Sequence, residues 1–362
     1  MRNLVLKWVL LGLLCTQICA YKYNCGAGQS PKVAKQFEAI YQFGDSLNDN
    51  GNFIRQPYGK RSYYKYLPYG QTIRRPTGRA SDGLVIADYI AMYFQLPLLS
   101  PYLSNNASDF NHGINFAVAG ASANGGVQDN SLAAQLNWFK THLTSTYSNN
   151  QTAIKEKLQK SLILMGEIGG NDFNGPFHQR KTIEEVSKLV AGVVKTIKDA
   201  VEEIISLGAT NIVVPGNFPI GCVPLYLVEF ATNDSSKYDE HHCLKDYNTF
   251  SRFYNYHLIQ AIQQLQQKYS GVAIVYADYY GALIYVITNA AQLGIEQDGD
   301  KKACCGAGDN PYNYNPNKFC SRQVQVCENP NKRVSWDGVH MTQSGNRYVA
   351  NWLLKQFVYY LQ

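Results

Sequence analysis

Short apolar runs, each broken off by glycine or proline or leading into a polar turn, alternate along this chain with longer stretches of helical periodicity. Few architectures satisfy that alternation. Ala39–Phe43 meets Gly44, Leu162–Met165 meets Gly166, Asn211–Val214 meets Pro215-Gly216, and Val272–Ala277 follows as the next such run. These runs are too short for helices and lack an alternating polar face, the mark of strands buried on both sides. Helical spacing covers Leu84–Phe94, with Ser81 and Asp82 placed as caps, and Thr182–Leu207, stopped by Gly208. It also covers Leu244–Tyr269, stopped by Gly271, and Ser344–Tyr359 at the end of the chain. Strand and helix in this order predict an α/β protein with a parallel sheet and helices on both faces. Such sheets carry their sites at the carboxyl ends of the strands. The stretch from Asp298 to Lys332, rich in Gly, Asn, Pro and Cys, reads as a long loop stapled by disulfides. No repeat or linker marks a second domain, so residues 21–362 are expected to form one.

The first twenty residues set the expected compartment. Arg2 and Lys7 flank and enter the apolar run Leu4–Leu14, and Ile18-Cys19-Ala20 offers a small residue for cleavage. That pattern predicts a secretory signal over residues 1–20 and a mature start near Tyr21. The run falls short of the roughly 20 apolar residues that span a bilayer, so no stable membrane insertion is expected. The net charge of +6 includes Arg2 and Lys7; without them it is 31 − 27 = +4, spread along the chain. No basic run tracks a phosphate backbone, which argues against a nucleic-acid partner. Asn106, Asn150 and Asn233 each begin an Asn-x-Ser/Thr acceptor for N-glycosylation. Of nine cysteines, Cys15 and Cys19 lie in the signal. In an oxidising compartment Cys222 and Cys243 make a natural pair, and Cys304, Cys305, Cys320 and Cys327 two further bridges, with Cys25 left over. The last four have neither Cys-x-x-Cys spacing nor a nearby His, so disulfides are favoured over zinc.

Four segments carry residues suited to chemistry. Phe43-Gly44-Asp45-Ser46-Leu47 directly follows the first run, where a Ser held proud of a strand end exposes its hydroxyl. Taken alone, Asp and Ser there read first as a helix cap. Asp337-Gly338-Val339-His340 places an acid three residues before a His, close enough to meet it in a turn. A neutral His can take the proton of an attacking Ser, and the carboxylate fixes its tautomer and stabilises the imidazolium. The other six His, at 112, 142, 178, 241, 242 and 257, read mostly as surface residues in polar loops or on helix faces. Gly169-Gly170-Asn171-Asp172 follows the second run. An Asn amide there can donate to an oxyanion, although Gly and Asn equally make a turn. In Asn115–Ala121, Gly120 lets a backbone N–H approach a substrate.

Together and in this order, the four segments resemble the plant GDSL esterase/lipase family of the SGNH hydrolases. Phe43–Ser46 is similar to its nucleophile block and Gly120 to its glycine block. Gly169-x-Asn171-Asp172 and Asp337-x-x-His340 are similar to its remaining two. Connecting motifs such as Pro76-Thr77-Gly78-Arg79 and Val214–Cys222 are similar to the branch that contains sinapine esterase and acetylajmalan esterase. The resemblance covers about Ile40 to Leu361. It implies a three-layer flavodoxin-like SGNH fold with a parallel sheet of about five strands. It also implies Ser46 as nucleophile, His340 as base, Asp337 as its orienting acid, and an oxyanion hole from the N–H groups of Ser46 and Gly120 and the side chain of Asn171. No cofactor and no metal are implied. Two departures stand out: Asp49-Asn50-Gly51-Asn52 replaces the usual Asp-Thr-Gly-Asn, and Lys35-Gln36-Phe37 occupies the place of a common Cys, which leaves Cys25 unassigned.

The expected partner is a small-molecule ester. No long apolar stretch reads as a lipid-binding lid, which favours a short acyl group such as acetate. The insertion Arg55–Lys65, rich in Tyr and Arg, is expected at the mouth of the site, where loops set selectivity. Its chemistry suits a polar or aromatic alcohol such as an alkaloid or phenylpropanoid. An acyltransferase that passes the acyl group to an alcohol, and a catalytically silent binding protein on the same scaffold, are the alternatives. Product analysis with a competing alcohol and labelling by a fluorophosphonate separate them.

Overall fold

The computed structural model describes residues 36–104, 110–125 and 130–361, which fall within one compact unit, Lys35–Gln362. The first apolar run forms β1 (Ala39–Gln42), with every residue buried. Side chains alternate across a strand. Ala39, Tyr41 and Phe43 join a large core on one face, and Ile40 is buried on the other. This two-sided burial explains why the run shows no polar alternation.

Five more strands complete the sheet: β2 (Ser100–Pro101), β3 (Gly113–Asn115), β4 (Ser161–Leu164), β5 (Asn211–Pro215) and β6 (Ala273–Ala277). Their order is β2-β3-β1-β4-β5-β6, and all pairings are parallel. The sheet thus has six strands where about five were expected. The extra one is the two-residue β2, which carries Pro101 at the edge, where a missing N–H costs least. After β1 the chain builds to one side through β2 and β3, then returns to the other side of β1 with β4. Crevices at such reversals are where open α/β sheets bind ligands.

The helices are α1 (Ile86–Tyr93), α2 (Leu132–Thr146), α3 (Gln151–Gln159), α4 (Gly170–His178), α5 (Ile183–Ser187), α6 (Val190–Ser206), α7 (Pro224–Glu229), α8 (Lys245–Lys268), α9 (Tyr279–Thr288) and α10 (Gln343–Phe357). Helix α6 packs on α2 and α8 in the large core, while α10 packs on α1, α9 and β6. The result is a three-layer arrangement. Three local expectations are corrected. The stretch Thr182–Leu207 breaks into α5 and α6 around Lys188 and Leu189, leaving Leu189 exposed. Ser81 and Asp82 do not cap α1. Val85 stands at that position, and its N–H donates to Asp88 of the first turn (2.8 Å). Asp82 instead accepts the Gln343 N–H at the start of α10 (2.6 Å), tying the two helices together. Helix α10 stops at Phe357, and a 3-10 turn over Val358–Tyr360 follows.

Disulfides pair Cys222–Cys243, Cys304–Cys327 and Cys305–Cys320. The last two staple the long loop around a short antiparallel pair, β7 (Cys305–Gly306) and β8 (Gln325–Val326), and bury their sulfurs against Tyr69 and Trp336. The bridged residues lie 15 to 23 positions apart, and loops of that size are stabilised by about 3 kcal/mol each. Asn150 caps α3 and Asn233 lies in a turn, both exposed. Asn106, Cys25 and the signal segment 1–20 lie outside the described residues. Among the described residues no helix is long and apolar enough to cross a membrane.

Candidate active site

Three neighbouring strands, β3, β1 and β4, end on the same edge of the sheet. The segments that follow them carry Gly120, Ser46 and Asn171. Past β1 the chain turns sharply at Gly44, whose φ of +128° is open to glycine alone. A Cβ there would approach Glu167 O to 3.0 Å. Gln135 of α2 holds this turn from both sides, accepting the Gly44 N–H (2.9 Å) and donating to the Gly44 carbonyl (2.8 Å). The Asp45 carbonyl accepts the N–H groups of Asn48 and Asp49. Ser46 therefore sits half-buried at the head of a tight turn, fixed by backbone on both sides.

His340 comes from the turn before α10. Its Nε2 lies 2.8 Å from Ser46 Oγ, and its Nδ1 lies 2.8 Å from Asp337 Oδ2. The Nδ1–H donates to the carboxylate, which leaves Nε2 free to accept from the serine hydroxyl. Asp337 has no remaining freedom. Its Oδ1 accepts the N–H groups of Val339 (3.0 Å) and His340 (2.8 Å), and its Oδ2 accepts the hydroxyl of Tyr69 (2.9 Å) as well as the imidazole. The turn needs glycine at Gly338, where φ is +92° and a Cβ would lie 2.1 Å from the Tyr314 ring. Burial pushes the Asp337 carboxyl up, but the charge and hydrogen bonds of His340, with the Val339 N–H, outweigh it and hold its pKa below the ordinary value. Burial pulls His340 down, but the charge and hydrogen bond of Asp337, with a contribution from Asp45, raise it above the ordinary imidazole value.

Opposite the imidazole, the N–H groups of Ser46 and Gly120 have no acceptor among the described residues. Gly120 is exposed with φ +81°, and nothing approaches the place of its missing Cβ within 4 Å. Its segment is fastened on both sides. Asp49 accepts the Ala119 N–H (2.8 Å) while also accepting those of Gly51, Asn52 and Phe53. Asp172 accepts those of Ala123 (2.7 Å) and Asn124 (3.0 Å). Burial raises the Asp49 carboxyl to about 6. Asn52 donates to the carbonyls of Asn115 and Ala117. The Asp49–Asn52 turn thus stitches the Ser46 loop to the Gly120 segment through groups that the Thr-to-Asn change at position 50 leaves in place. The Asn171 amide reaches the same space. Its nitrogen donates to Asp45 Oδ2 (3.0 Å) and to the Ala121 carbonyl (2.9 Å).

Two hollows meet at His340, and Asn171 and Val339 border both. The smaller, about 120 Å³, lies beside Ser46 and is faced by Phe218, Ile220, Val223, Leu283, Ile287 and Met341. The larger is a cleft of about 980 Å³ walled by Phe53, Tyr58, Tyr63, Tyr64, Tyr314 and Phe319. The insertion expected at the mouth of the site supplies Tyr58, Tyr63 and Tyr64, and the stapled loop supplies Tyr314 and Phe319. Among the described residues no three His, Cys, Asp or Glu side chains converge as metal ligands.

Sequence reading missed several residues of the site. Tyr69 and Gln135 act across 268 and 91 positions of chain, and no local pattern signals such contacts. Glu167 leaves a trace: an acid between Met165-Gly166 and Ile168, just past a fully buried strand, is out of place unless something holds it. His142 is not a surface residue. It lies on the buried stripe of α2, and burial pushes its pKa down to about 4.

Comparison with known proteins finds matches along most of the chain. The family described as GDSL-like lipase/acylhydrolase matches residues 40–353. An acetylajmalan esterase of Rauvolfia serpentina is 42% identical over 342 residues, 91% of this chain and 87% of that protein. A second protein from that plant, acetylajmalan esterase 1, is 40% identical over 92% of this chain and 89% of its own length. A GDSL esterase/lipase of Arabidopsis thaliana is 38% identical over 88% of this chain and 84% of its own.

Proposed function

The chain belongs to the GDSL-like lipase/acylhydrolase family and is a carboxylic ester hydrolase, and from that premise we propose that it is a secreted serine esterase that removes a short acyl group from a bulky aromatic or alkaloid-like alcohol. The observation that carries this reading is the unbroken chain of contacts from Ser46 Oγ through His340 to Asp337, each 2.8 Å long. His340 takes the Ser46 proton as Oγ attacks the ester carbonyl, and Asp337 stabilises the imidazolium. The N–H groups of Ser46 and Gly120 and the amide of Asn171 receive the oxyanion. His340 then protonates the leaving alcohol, and a water activated by the same imidazole releases the acid from the acyl-enzyme.

The two hollows support the choice of substrate. A cavity of about 120 Å³ beside Ser46 accommodates an acetyl or slightly larger acyl group. The aromatic cleft suits a large, flat alcohol, in keeping with the names of the Rauvolfia relatives. The open cleft also gives water access to the acyl-enzyme, which favours hydrolysis over transfer to an alcohol. Three disulfides and the exposed acceptors at Asn150 and Asn233 support secretion. Parallel assays of the wild type and Ser46→Ala on p-nitrophenyl acetate and longer-chain esters test the proposal. Loss of turnover by at least about 1000-fold in the variant is expected, with the acetate ester preferred by the wild type. Equal turnover by both proteins would remove Ser46 from the reaction.

A further inference from the structure

Asp45 and Glu167 occupy equivalent places at the ends of two paired strands. Gln42 of β1 faces Leu164 of β4 in the sheet, and each acid stands three residues further on. The Asp45 N–H donates to the Glu167 carbonyl (3.0 Å), so the two side chains emerge side by side. Both are buried, 4% and 3% exposed, with their carboxyl groups near enough for each to bear on the other's ionisation. Two buried carboxylates this close do not both ionise, so the pair shares a proton. Asp45 is the better place for the charge. It accepts the Leu47 N–H (2.9 Å) and the Asn171 amide (3.0 Å), and His340 lies close by. Glu167 accepts the Gly170 N–H (3.0 Å), and burial with the nearby charge of Asp45 pushes its pKa well above the ordinary range.

Counting the protons of Asn171 exposes a difficulty in the oxyanion hole. The amide has two N–H bonds, and in this structure Asp45 takes one and the Ala121 carbonyl the other. A proton for the oxyanion must come from one of these bonds. A bond from an amide to a free buried carboxylate is the harder one to exchange, because charged acceptors bind about twice as strongly as neutral ones. An acceptor that already receives other donors holds each of them less tightly. We propose that Glu167 is a positioning residue that donates to Asp45 and so loosens that carboxylate's hold on the Asn171 amide, letting one amide proton turn to the oxyanion as it forms. Asp45 still orients the amide in the resting enzyme, and Glu167 makes that grip weak enough to exchange. A Cβ at Gly170 would lie 2.9 Å from Glu167 Oε1, so a larger residue there would push the carboxyl group aside.

The inference rests on the proposed role of Asn171, and a double-mutant cycle tests the two separately. The variants are Glu167→Leu, Glu167→Gln, Asn171→Ala and the Leu/Ala double, with kcat and KM read on p-nitrophenyl acetate. Glu167→Leu removes the donor but keeps the bulk, and should lower kcat by about 30- to 100-fold with KM changed less than about threefold, at or below the low end of the roughly 100- to 1000-fold that outright loss of one oxyanion donor costs. Glu167→Gln restores a donor and should recover at least about tenfold in kcat over the Leu variant. In the Asn171→Ala background the Leu change should cost less than about threefold further, because its effect runs through that amide. Should the Leu variant fail to fold, Glu167→Met, equally without a donor, carries the comparison. Multiplicative losses in the double variant, or a Gln variant as slow as Leu, would overturn the inference and leave the site reading intact. Wild-type turnover in Asn171→Ala would instead sink the oxyanion role on which it stands.

Discussion

The Ser46 side of the proposed site is carried by three adjacent strands, whereas the cleft beyond His340 is walled by 3-10 turns and a stapled loop. Around Ser46 and His340, where these strand ends meet α2 and the turn before α10, each polar group is held several times over. Asp337 accepts four hydrogen bonds, Asp49 accepts four backbone N–H groups, and Gln135 grips Gly44 at both its N–H and its carbonyl. On the cleft side the working groups are aromatic rings on short turns, and several stand open to solvent. Tyr63 is 50% exposed and Phe319 57%, and the two rings approach each other at 6.4 Å from opposite segments. The contrast separates two jobs. Geometry that must hold to a fraction of an ångström is built from sheet ends and backbone hydrogen bonds. Selectivity is left to side chains that can be exchanged without disturbing the sheet.

That division is open to attack from both sides. The largest effect should come from Asp337→Asn, which keeps the size of the side chain but weakens the group that orients His340. A loss of about 10³- to 10⁴-fold in kcat, the same for every ester tried, is expected. A loss that depended on the alcohol would blur the division. A second test follows the sign of the His340 shift. The imidazole must be neutral to accept the serine proton, and its pKa lies above the ordinary value of about 6.5. Activity should therefore be low in acid and rise with pH, with the midpoint of the kcat/KM profile above that value. Asp337→Asn removes the charge that raises it and leaves burial, which lowers it, so the midpoint should move to lower pH in the variant. A midpoint that stayed in place would separate Asp337 from the titration. The smallest effect belongs to the cleft. Tyr63→Ala and Phe319→Ala should raise KM by about three- to tenfold for esters of large aromatic alcohols, as expected for the loss of one aromatic contact. Ethyl acetate, too small to reach the rings, should be hydrolysed with a KM within about twofold of wild type, since exposed side chains seldom carry structural weight.

How legible each region was in the sequence follows the same line. Strands β1, β4, β5 and β6 were readable because burial on both faces leaves them mostly apolar, whereas β2 and β3, two and three residues long, gave no run to read; the Ser46 and His340 segments stood out because their chemistry is packed into four or five consecutive residues. The cleft was readable only as a Tyr-rich insertion, since which rings face inward is decided by the fold of the turns. Helix α4 opens with Gly170 and contains Pro176, so propensity argues against it, and tertiary packing through Phe173 and Phe177 overrides that preference. Helix α2 was hidden by its polar half, although Leu132, Leu136, Phe139 and Leu143 form a stripe at helical spacing. The supports of the site, Tyr69, Gln135 and Glu167, were the least readable, because their meaning lies in partners that are remote in the chain.

The central claim is that Ser46 is the group activated by His340. The most direct test is reaction of the folded wild type, Ser46→Ala and His340→Ala proteins with a fluorophosphonate, followed by intact-mass and peptide mass spectrometry. The account predicts one adduct per wild-type chain, located on the peptide that contains Ser46, none on Ser46→Ala, and labelling of His340→Ala slowed by at least about 100-fold. An adduct on another residue, or equal labelling rates in the wild type and His340→Ala, would contradict it.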